Sequence, residues 1–306
     1  MDPIQRLYQT IQHSSFKVSP VLNQSLAPLN SLKAGGCAAL WVQPSDLNEL
    51  SSLFEQIVAL GLQWFVIGKG SNLICTCSTY PGVLIQLGGD FKQIQCHQTT
   101  LTAGAAAQDA KVAQEARKAG LSGLEWLVTI PGSIGGAVYM NAGAHQSEIK
   151  NLLSEVHVFH PAHGFSMIKK KDMEFGYRSS RLQSKKEILL QCHFSLSPKE
   201  TGLIFAKEQE LLRIRKKNQP AGIKTFGSVF KNPKDASAWQ LIEQAGLRGK
   251  RCGDFRISPV HSNFIENLGT GDPNHLLELI HLVQTEVYQQ SGIQLVLEGQ
   301  LFPPES

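Results

Sequence analysis

Apolar and polar residues along the first quarter of the chain follow the spacing of helices and short buried strands. Apolar residues recur at helical spacing from Leu47 to Leu60, after Asp46, a residue type preferred at helix N-termini, and before Gly61. Short apolar runs at 38–42 and 64–67 predict buried strands on either side of this helix. The pattern therefore indicates a mixed α and β architecture from the start of the chain.

The same mixture continues to the C-terminus. Further strands are predicted at 83–87, 94–97, 100–103, 152–159, 165–168, 187–196, 255–257, 263–267 and 293–302. Further helices are predicted at 1–16, 108–119, 204–217, 236–245 and 275–290, with a short helix beginning near Gly135. The charged amphipathic helix at 204–217 marks the opening of a second unit.

Composition places the chain among ordinary globular proteins. Its 306 residues, 42% hydrophobic and 18% charged, are enough for two or three domains with their own cores. The net charge of +4 is modest, and the basic residues do not interleave with aromatic residues. This disfavours nucleic-acid binding, and a small anionic substrate accounts for the charge equally well.

Neither a membrane location nor a metal centre is expected. The first residues lack the apolar core of a signal peptide, and no run of about 18 apolar residues could cross a bilayer. The six cysteines are scattered, which indicates reduced thiols in a cytoplasm. Cys75 and Cys77 lack metal-site spacing, and His160 and His163 are typical of a polar turn between strands.

A first glycine-rich loop follows the strand predicted at 64–67. It comprises Gly68, Lys69, Gly70, Ser71 and Asn72. A Walker A loop requires Ser or Thr after the lysine, whereas Gly70 follows Lys69, and a Rossmann fingerprint requires Gly or Ala where Leu73 stands. Two interpretations remain, a hairpin turn or a nest of backbone N–H groups for an anion, with Ser71 and Asn72 adding side-chain hydrogen bonds.

A second glycine-rich stretch spans Gly123 to Ile149. Its candidate ligand-binding residues are Ile130, Pro131, Gly132, Ser133, Gly135, Gly136, Asn141 and Gly143. Proline fixes φ, glycine removes the Cβ that would hold a ligand off the backbone, and the apolar surroundings predict shaped, buried backbone. The first N–H groups of the short helix near Gly135 would face a bound phosphate. The alternative is a tight corner between packed elements.

Six motifs in fixed order carry a resemblance to a known family. They are Gly68-x-Gly70-Ser71-Asn72, the stretch from Ile130 to Ala144, Tyr177-Arg178-x-Ser180, Gly227-Ser228-x-Phe230-Lys231-Asn232-Pro233, the stretch from Leu241 to Leu247, and His261-x-Asn263-Phe264-Ile265. Together they resemble the UDP-N-acetylenolpyruvoylglucosamine reductase (MurB) family of bacterial peptidoglycan synthesis, from about Asn30 to Glu298. The short separation of Arg178 from Lys216 resembles the family's shorter form, which lacks an extra substrate-covering loop.

The resemblance implies an α+β fold of the vanillyl-alcohol-oxidase/p-cresol-methylhydroxylase type, with FAD and NADPH as cofactors. An N-terminal helix within 1–19 would precede two FAD-binding subdomains at 20–90 and 91–200, and a substrate-binding domain would occupy 201–306. By this analogy the loop from Gly68 to Asn72 holds the pyrophosphate of FAD, and Ile130 to Gly143 lines the flavin.

The family's reaction assigns roles to three residues. NADPH reduces the flavin, flavin N5 gives hydride to C3 of UDP-N-acetylglucosamine enolpyruvate, and protonation at C2 yields UDP-N-acetylmuramate. Arg178 would stabilise the negative charge that develops, Glu298 would hydrogen-bond the enol or carboxyl group, and Ser228 would protonate C2. Without the family, Arg178 reads as a surface ion pair, Ser228 as a turn residue and Glu298 as an exposed strand residue.

The remaining substrate contacts follow from the same resemblance. Lys216 or its neighbour Lys217 would bind the diphosphate, and Lys231 and Asn232 would contact the nucleotide or the substrate. The expected partners are this small-molecule substrate and NADPH, without nucleic acid or membrane.

Three positions depart from the family pattern. Gln300 replaces an arginine after Glu298, Phe226 replaces a small residue, and Ser31 replaces threonine. Two alternatives therefore stay open. One is another FAD-dependent oxidoreductase of the same fold, although His145 is the sole candidate in the glycine-rich stretches for covalent flavin attachment. The other is a non-catalytic flavin-binding protein.

Overall fold

The computed structural model describes residues 2–220 and 222–304, which form a mixture of helices and small sheets. The α-helices are α1 (Pro3–Gln12), α2 (Leu47–Ala59), α3 (Asp109–Lys118), α4 (Ile134–Tyr139), α5 (Ile149–Leu152), α6 (Thr201–Asn218), α7 (Ala238–Gln244) and α8 (Pro273–Ser291). The strands are β1 (Val21–Ser25), β2 (Cys37–Val42), β3 (Trp64–Val66), β4 (Leu73–Cys75), β5 (Thr79–Ile85), β6 (Ile94–His97), β7 (Thr100–Gly104), β8 (Leu121–Ser122), β9 (Gly143–Ala144), β10 (Ser147–Glu148), β11 (Leu153–His160), β12 (Gly164–Lys169), β13 (Ile188–Ser195), β14 (Ser197–Pro198), β15 (Arg251–Cys252), β16 (Phe255–Ile257), β17 (Ile265–Asn267) and β18 (Gln300–Phe302).

The predicted helices are confirmed, with ends that shift by a few residues. Asp46 caps α2 as expected, because its side chain accepts hydrogen bonds from the backbone N–H groups of Asn48 and Glu49, both at 3.0 Å. Gly61 and Gly120, just beyond α2 and α3, have φ of +62° and +66°. Glycine takes this left-handed conformation without a Cβ penalty, which explains why both helices end there.

The prediction of one continuous strand over 293–302 is wrong. Only β18 at its end is a strand, and Leu297 forms an isolated bridge with Phe230. Beyond this bridge the segment turns to a different partner, because β18 pairs in parallel with β4. Gly299 lies at the change, where a Cβ would be 2.6 Å from the side chain of Ile74. The alternation of apolar and polar residues over 293–302 therefore reflects which side chains are buried. It does not show that the whole segment pairs with one strand.

Two strands lie in segments that sequence patterns left irregular. β1 lies between the helix predicted at 1–16 and the strand predicted at 38–42, and β4 immediately follows the first glycine-rich loop. β1 borders a four-stranded sheet of order β1-β2-β5-β3. β4 is extended because it pairs with β18, which lies more than two hundred residues later in the chain. No local sequence pattern therefore predicts β4.

A five-stranded sheet of order β12-β11-β13-β7-β6 is the largest in the described residues. All its pairings are antiparallel, with β13 lying between β11 and β7. One face is apolar and fully buried, with Val156 and Val158 on β11 and Cys192 and Phe194 on β13. The polar residues between them are only partly buried, namely Glu155, His157, Gln191 and His193. This is expected for an antiparallel sheet with one solvated face.

The chain divides into two compact units. The first comprises Met1–Leu22, Leu40–Lys69 and Gly82–Arg215, and the second comprises Asn23–Ala39, Gly70–Pro81 and Lys216–Ser306. The predicted boundaries at 20, 90 and 200 differ from this division, because two early segments join the C-terminal unit.

The physical reason is a shared core. Leu32, Ala34 and Ile74 are buried in one cluster with apolar residues of α7 and α8. The side chain of Asn267 also donates to the carbonyl of Leu32 at 2.9 Å. These early residues contact partners far away in sequence, which a prediction of consecutive segments misses. Among the described residues, no helix has both the length and the apolar character that a membrane span needs.

Candidate functional site

The second glycine-rich stretch is a closely packed corner in the first unit. It leads into α4, where Ile134 N–H donates to the carbonyl of Ala107 at 2.9 Å and Gly135 N–H donates to Ala105 at 2.8 Å. A Cβ on Gly135 would lie 2.9 Å from the same Ala105 oxygen. The prediction that the first N–H groups of this helix face a phosphate is therefore wrong for these two groups, because protein carbonyls already accept from them.

A buried hydroxyl group lies where this corner meets the first glycine-rich loop. Ser133 is 3% exposed, and its Oγ has no hydrogen-bond partner within the described part of the chain. A Cβ on Gly68 would come within 2.4 Å of that Oγ, so a side chain at position 68 would require the hydroxyl to move. An unsatisfied buried hydroxyl costs free energy, which a polar ligand at this place would recover.

The loop continues into the second unit with a similar arrangement. Gly70 has φ of +60°, and a Cβ there would lie 2.4 Å from the carbonyl oxygen of Leu29. Ser31 N–H donates to the Gly70 carbonyl at 3.1 Å, while Ser31 Oγ is buried and has no partner among the described residues. Each unit thus has one buried serine hydroxyl, Ser133 in the first and Ser31 in the second, without a partner in the described residues. Such donors fit a ligand rich in oxygen acceptors, as FAD is.

Asp109 is a further polar group beside this corner, and sequence reasoning missed it. It is 1% exposed, and neither carboxyl oxygen has a hydrogen-bond partner in the described ranges. Its N–H donates to the Gly132 carbonyl at 3.3 Å, and the preceding Gln108 bridges Ser133. Burial raises the pKa of Asp109 well above its usual range, while the positive charge of Lys69 lowers it. An aspartate in the first turn of a helix is ordinarily exposed, so the sequence held no signal.

Asn141 holds two loops of the first unit together. Its side chain is buried and donates to the carbonyl of Gly176 at 2.9 Å, and its amide oxygen accepts from Lys150 N–H at 3.1 Å. It also donates to Glu148 at 3.3 Å. The pKa of Glu148 is lowered, chiefly by its hydrogen bond with Lys150. The Asn141 side chain, predicted as a flavin contact, is therefore used to fix the loop that carries Arg178.

Arg178 is positioned by backbone and side-chain contacts of the first unit. Its φ is +55°, a conformation that costs a non-glycine residue roughly 1–2 kcal/mol. Nη2 donates to the Gly143 carbonyl at 3.1 Å, and the guanidinium lies 5.1 Å from the Tyr177 ring centre. Ser180 anchors the loop on the Tyr139 carbonyl at 2.8 Å. Arg178 is thus a half-buried cation that is held against the second glycine-rich stretch by its hydrogen bond to Gly143. It is not an exposed surface residue.

The second unit brings three other predicted residues close in the fold. Glu298 N–H donates to the carbonyl of Val229, the residue after Ser228, at 2.8 Å. Asn72 donates from its side chain to the Glu298 carbonyl at 3.1 Å, and its own carbonyl accepts from Gln300 N–H at 2.8 Å. Asn72 therefore fixes the backbone around Glu298. Ser228 and Glu298 lie on adjacent backbone segments and are both partly buried.

The predicted substrate residues occupy less constrained positions. Lys216 and Lys217 are exposed near the C-terminal end of α6. Lys231 is partly buried, and its N–H donates to the Val296 carbonyl at 2.8 Å. The amide oxygen of Asn232 accepts from Ala238 N–H at 3.0 Å, at the start of α7, so its amide nitrogen remains for another partner.

Comparison with known proteins gives a consistent result over nearly the whole chain. A family model described as an FAD binding domain matches residues 38–164, and one described as the C-terminal domain of UDP-N-acetylenolpyruvoylglucosamine reductase matches residues 219–302. A protein of Halalkalibacterium halodurans named UDP-N-acetylenolpyruvoylglucosamine reductase is 38% identical over 92% of this chain and 93% of its own length. A protein of the same name from Magnetococcus marinus is 37% identical over 95% of each chain.

A solved structure agrees. The crystal structure of UDP-N-acetylenolpyruvylglucosamine reductase (MurB) from Thermus caldophilus superposes with a TM-score of 0.81 at 36% identity, covering 94% of this chain and 99% of that one. Together with the FAD-binding match, this confirms the predicted fold class, an α+β flavin-binding fold of the vanillyl-alcohol-oxidase/p-cresol-methylhydroxylase type.

Proposed function

Because the chain belongs to the UDP-N-acetylenolpyruvoylglucosamine reductase family, we propose that it reduces UDP-N-acetylglucosamine enolpyruvate to UDP-N-acetylmuramate in peptidoglycan precursor synthesis. FAD would be the bound cofactor and NADPH the reductant. The observation that carries the proposal is Arg178, a cation fixed on the carbonyl of Gly143 within the region that matches an FAD-binding domain. An oxidase of the same fold has no evident need for a cation held there.

The chain's own residues fit the cofactor. The backbone from Gly68 to Asn72 would hold its pyrophosphate, and the buried hydroxyls of Ser133 and Ser31 would gain the partners they lack. The stretch from Ile130 to Gly143 would line the flavin. When bound, FAD would carry hydride from NADPH to C3 of the enolpyruvyl group.

Arg178 would stabilise the charge that this transfer places on the substrate. Negative charge develops at C2 and spreads into the carboxylate, and a guanidinium can pair with two oxygens at once. Its backbone and Gly143 contact hold it in place before the substrate arrives, so little reorganisation accompanies the reaction. A fixed cation of this kind acts where charge appears in the transition state.

Ser228 and Glu298 would complete the reaction at C2. A serine hydroxyl is a weak acid, but a carbanion is far more basic than the alkoxide left behind, so Ser228 can donate the proton. Glu298 would hydrogen-bond the enol or carboxyl group, which requires a protonated carboxyl or a paired cation. Lys216 or Lys217 would bind the diphosphate, and Lys231 and Asn232 would contact the nucleotide or substrate.

The proposal is tested by anaerobic kinetics. Purified protein should show flavin absorbance, and NADPH oxidation should depend on UDP-N-acetylglucosamine enolpyruvate. Ser228→Ala should retain the NADPH half-reaction and lose the substrate half-reaction by roughly 10²–10⁴-fold, the usual contribution of a general acid. Ser237→Ala, also in the second unit, is the matched control and should leave both half-reactions unchanged. A protein that takes up no FAD, or oxidises NADPH only with oxygen, contradicts the proposal.

A further inference from the structure

The solvated face of the five-stranded sheet carries a cluster of three metal-ligand side chains. Glu155 and His157 alternate on β11 and therefore point to the same face, and His193 on β13 lies directly opposite Glu155. Their neighbours Val156 and Cys192 point into the apolar core on the other face. The fixed strand register therefore places two imidazoles and a carboxylate side by side.

The distances are close to those of a coordination site. His157 Nε2 lies 3.9 Å from Glu155 Oε1, and the ring centres of His157 and His193 are 4.7 Å apart. One possible ligand atom from each of the three residues lies within 4.8 Å of the others. Bonds of about 2.0–2.2 Å in a tetrahedral zinc site put ligand atoms roughly 3.4 Å apart. To coordinate one ion the three ligand atoms would have to move together by up to about 1.4 Å, and the side chain of Glu155 is 37% exposed.

A second observation concerns the orientation of the His193 ring. Its Nδ1 lies 3.0 Å from Thr102 Oγ1, and its Nε2 lies 3.4 Å from Gln191 Nε2. One tautomer satisfies both contacts, with Nδ1–H donating to the hydroxyl and Nε2 accepting from the amide. A metal ion bound by Nε2 would therefore replace the Gln191 amide as the partner of this nitrogen's lone pair. A hydroxyl on the distal nitrogen is the kind of contact that orients a metal-binding histidine.

The cluster also adjoins open space. A surface cavity of about 300 Å³ is lined by His157, Thr102 and Gln191, together with Phe165 and Gln95. A metal ion held by three protein ligands would therefore keep a coordination position reachable from solvent, as in zinc sites that bind water or a small ligand. The three side chains are partly buried, so the ion would not be fully hydrated.

We propose that Glu155, His157 and His193 form a binding site for a divalent transition-metal ion of the zinc type. Two imidazoles and one carboxylate suit Zn²⁺, Ni²⁺, Co²⁺ or Cu²⁺, whereas Mg²⁺ and Ca²⁺ prefer oxygen ligands throughout. The ion would join β11 to β13 and leave one or more positions open on the cavity. The sequence predicted no metal centre, because the three ligands meet only through strand pairing.

The test is isothermal titration of the FAD-loaded, tag-free protein with Zn²⁺ after dialysis against EDTA. One saturable site is expected, with a rise in the unfolding temperature upon addition of Zn²⁺. His193→Gln and Glu155→Gln should each weaken Zn²⁺ binding by more than 100-fold while the flavin spectrum stays unchanged. Thr102→Val should weaken it by 10–100-fold, because the hydroxyl acts through the ring.

His163→Gln is the control, since the stacked rings of His160 and His163, 4.5 Å apart, are the rival pair of nitrogen ligands. It should leave Zn²⁺ binding within twofold. The proposal is overturned if Zn²⁺ does not bind at millimolar concentration, if Mg²⁺ competes equally, or if His163→Gln weakens binding while His193→Gln does not. Because Glu155→Gln keeps the size of the side chain on the solvated face, it remains informative if a histidine variant fails to fold.

Discussion

Asp109 should make the stability of the folded protein depend on pH, because its carboxyl group is buried without a hydrogen-bond partner in the described residues. Burial raises its pKa in the folded protein well above the usual range, with Lys69 acting in the opposite direction. In the unfolded chain the pKa returns to about 3.9. Between these two pKa values the folded protein holds a proton that the unfolded chain has lost, so the contribution of Asp109 to stability falls as pH rises.

The magnitude follows from proton linkage. Each pH unit between the unfolded and the folded pKa removes about 1.4 kcal/mol from the free energy of unfolding. Asp109→Asn is close in shape to the protonated acid and cannot ionise. The variant should equal the wild type near pH 4 and exceed it progressively as pH rises, until the wild-type carboxyl ionises in the folded state as well.

The assay is urea unfolding of the FAD-free protein at four pH values from 5 to 8, with FAD affinity measured separately. Asp235→Asn is the matched control, because Asp235 is exposed and its φ of +64° suits asparagine. The difference in unfolding free energy between the wild type and Asp109→Asn should change with pH, and the control should not show this change. An Asp109→Asn variant that is less stable than the wild type at pH 8 would refute the reasoning, since it would mean that the carboxylate is ionised and paired.

Three other predictions concern backbone space, a buried amide and the fixed cation. Gly70→Ala should destabilise the protein by clearly more than Gly61→Ala in urea unfolding. The two φ values are alike (+60° and +62°), but of the two added Cβ atoms only that at position 70 would lie 2.4 Å from a carbonyl oxygen; equal losses would contradict this. Asn267→Ala should cost roughly 1–3 kcal/mol by the same assay, because it leaves the buried Leu32 carbonyl without its side-chain donor, and a loss below 0.5 kcal/mol would be inconsistent. Arg178→Lys should lower substrate-dependent turnover by about 10²–10³-fold in stopped-flow kinetics and spare the NADPH half-reaction, whereas equal loss in both would show a structural role.

Local chemistry determined much of the fold from the sequence alone. α2 begins after Asp46 and ends before Gly61. A capping carboxylate and a left-handed glycine affect only the few residues next to them, so both ends can be predicted from the local sequence. The two glycine-rich loops were located by composition, and their order with the later motifs indicated the family. The short motifs that indicate the family can therefore be identified in the sequence without the structure.

Tertiary structure decided which of those groups remain available to a ligand. Asn141 and Asn72 belong to motifs predicted to bind FAD, yet both side chains bind protein carbonyls, and the first N–H groups of α4 do the same. Asp109 and the Glu155, His157 and His193 cluster left no local signal. Burial and strand register arise from residues far apart in sequence, so a pattern read along the chain could reveal neither the isolated acid nor the three ligands on one sheet face.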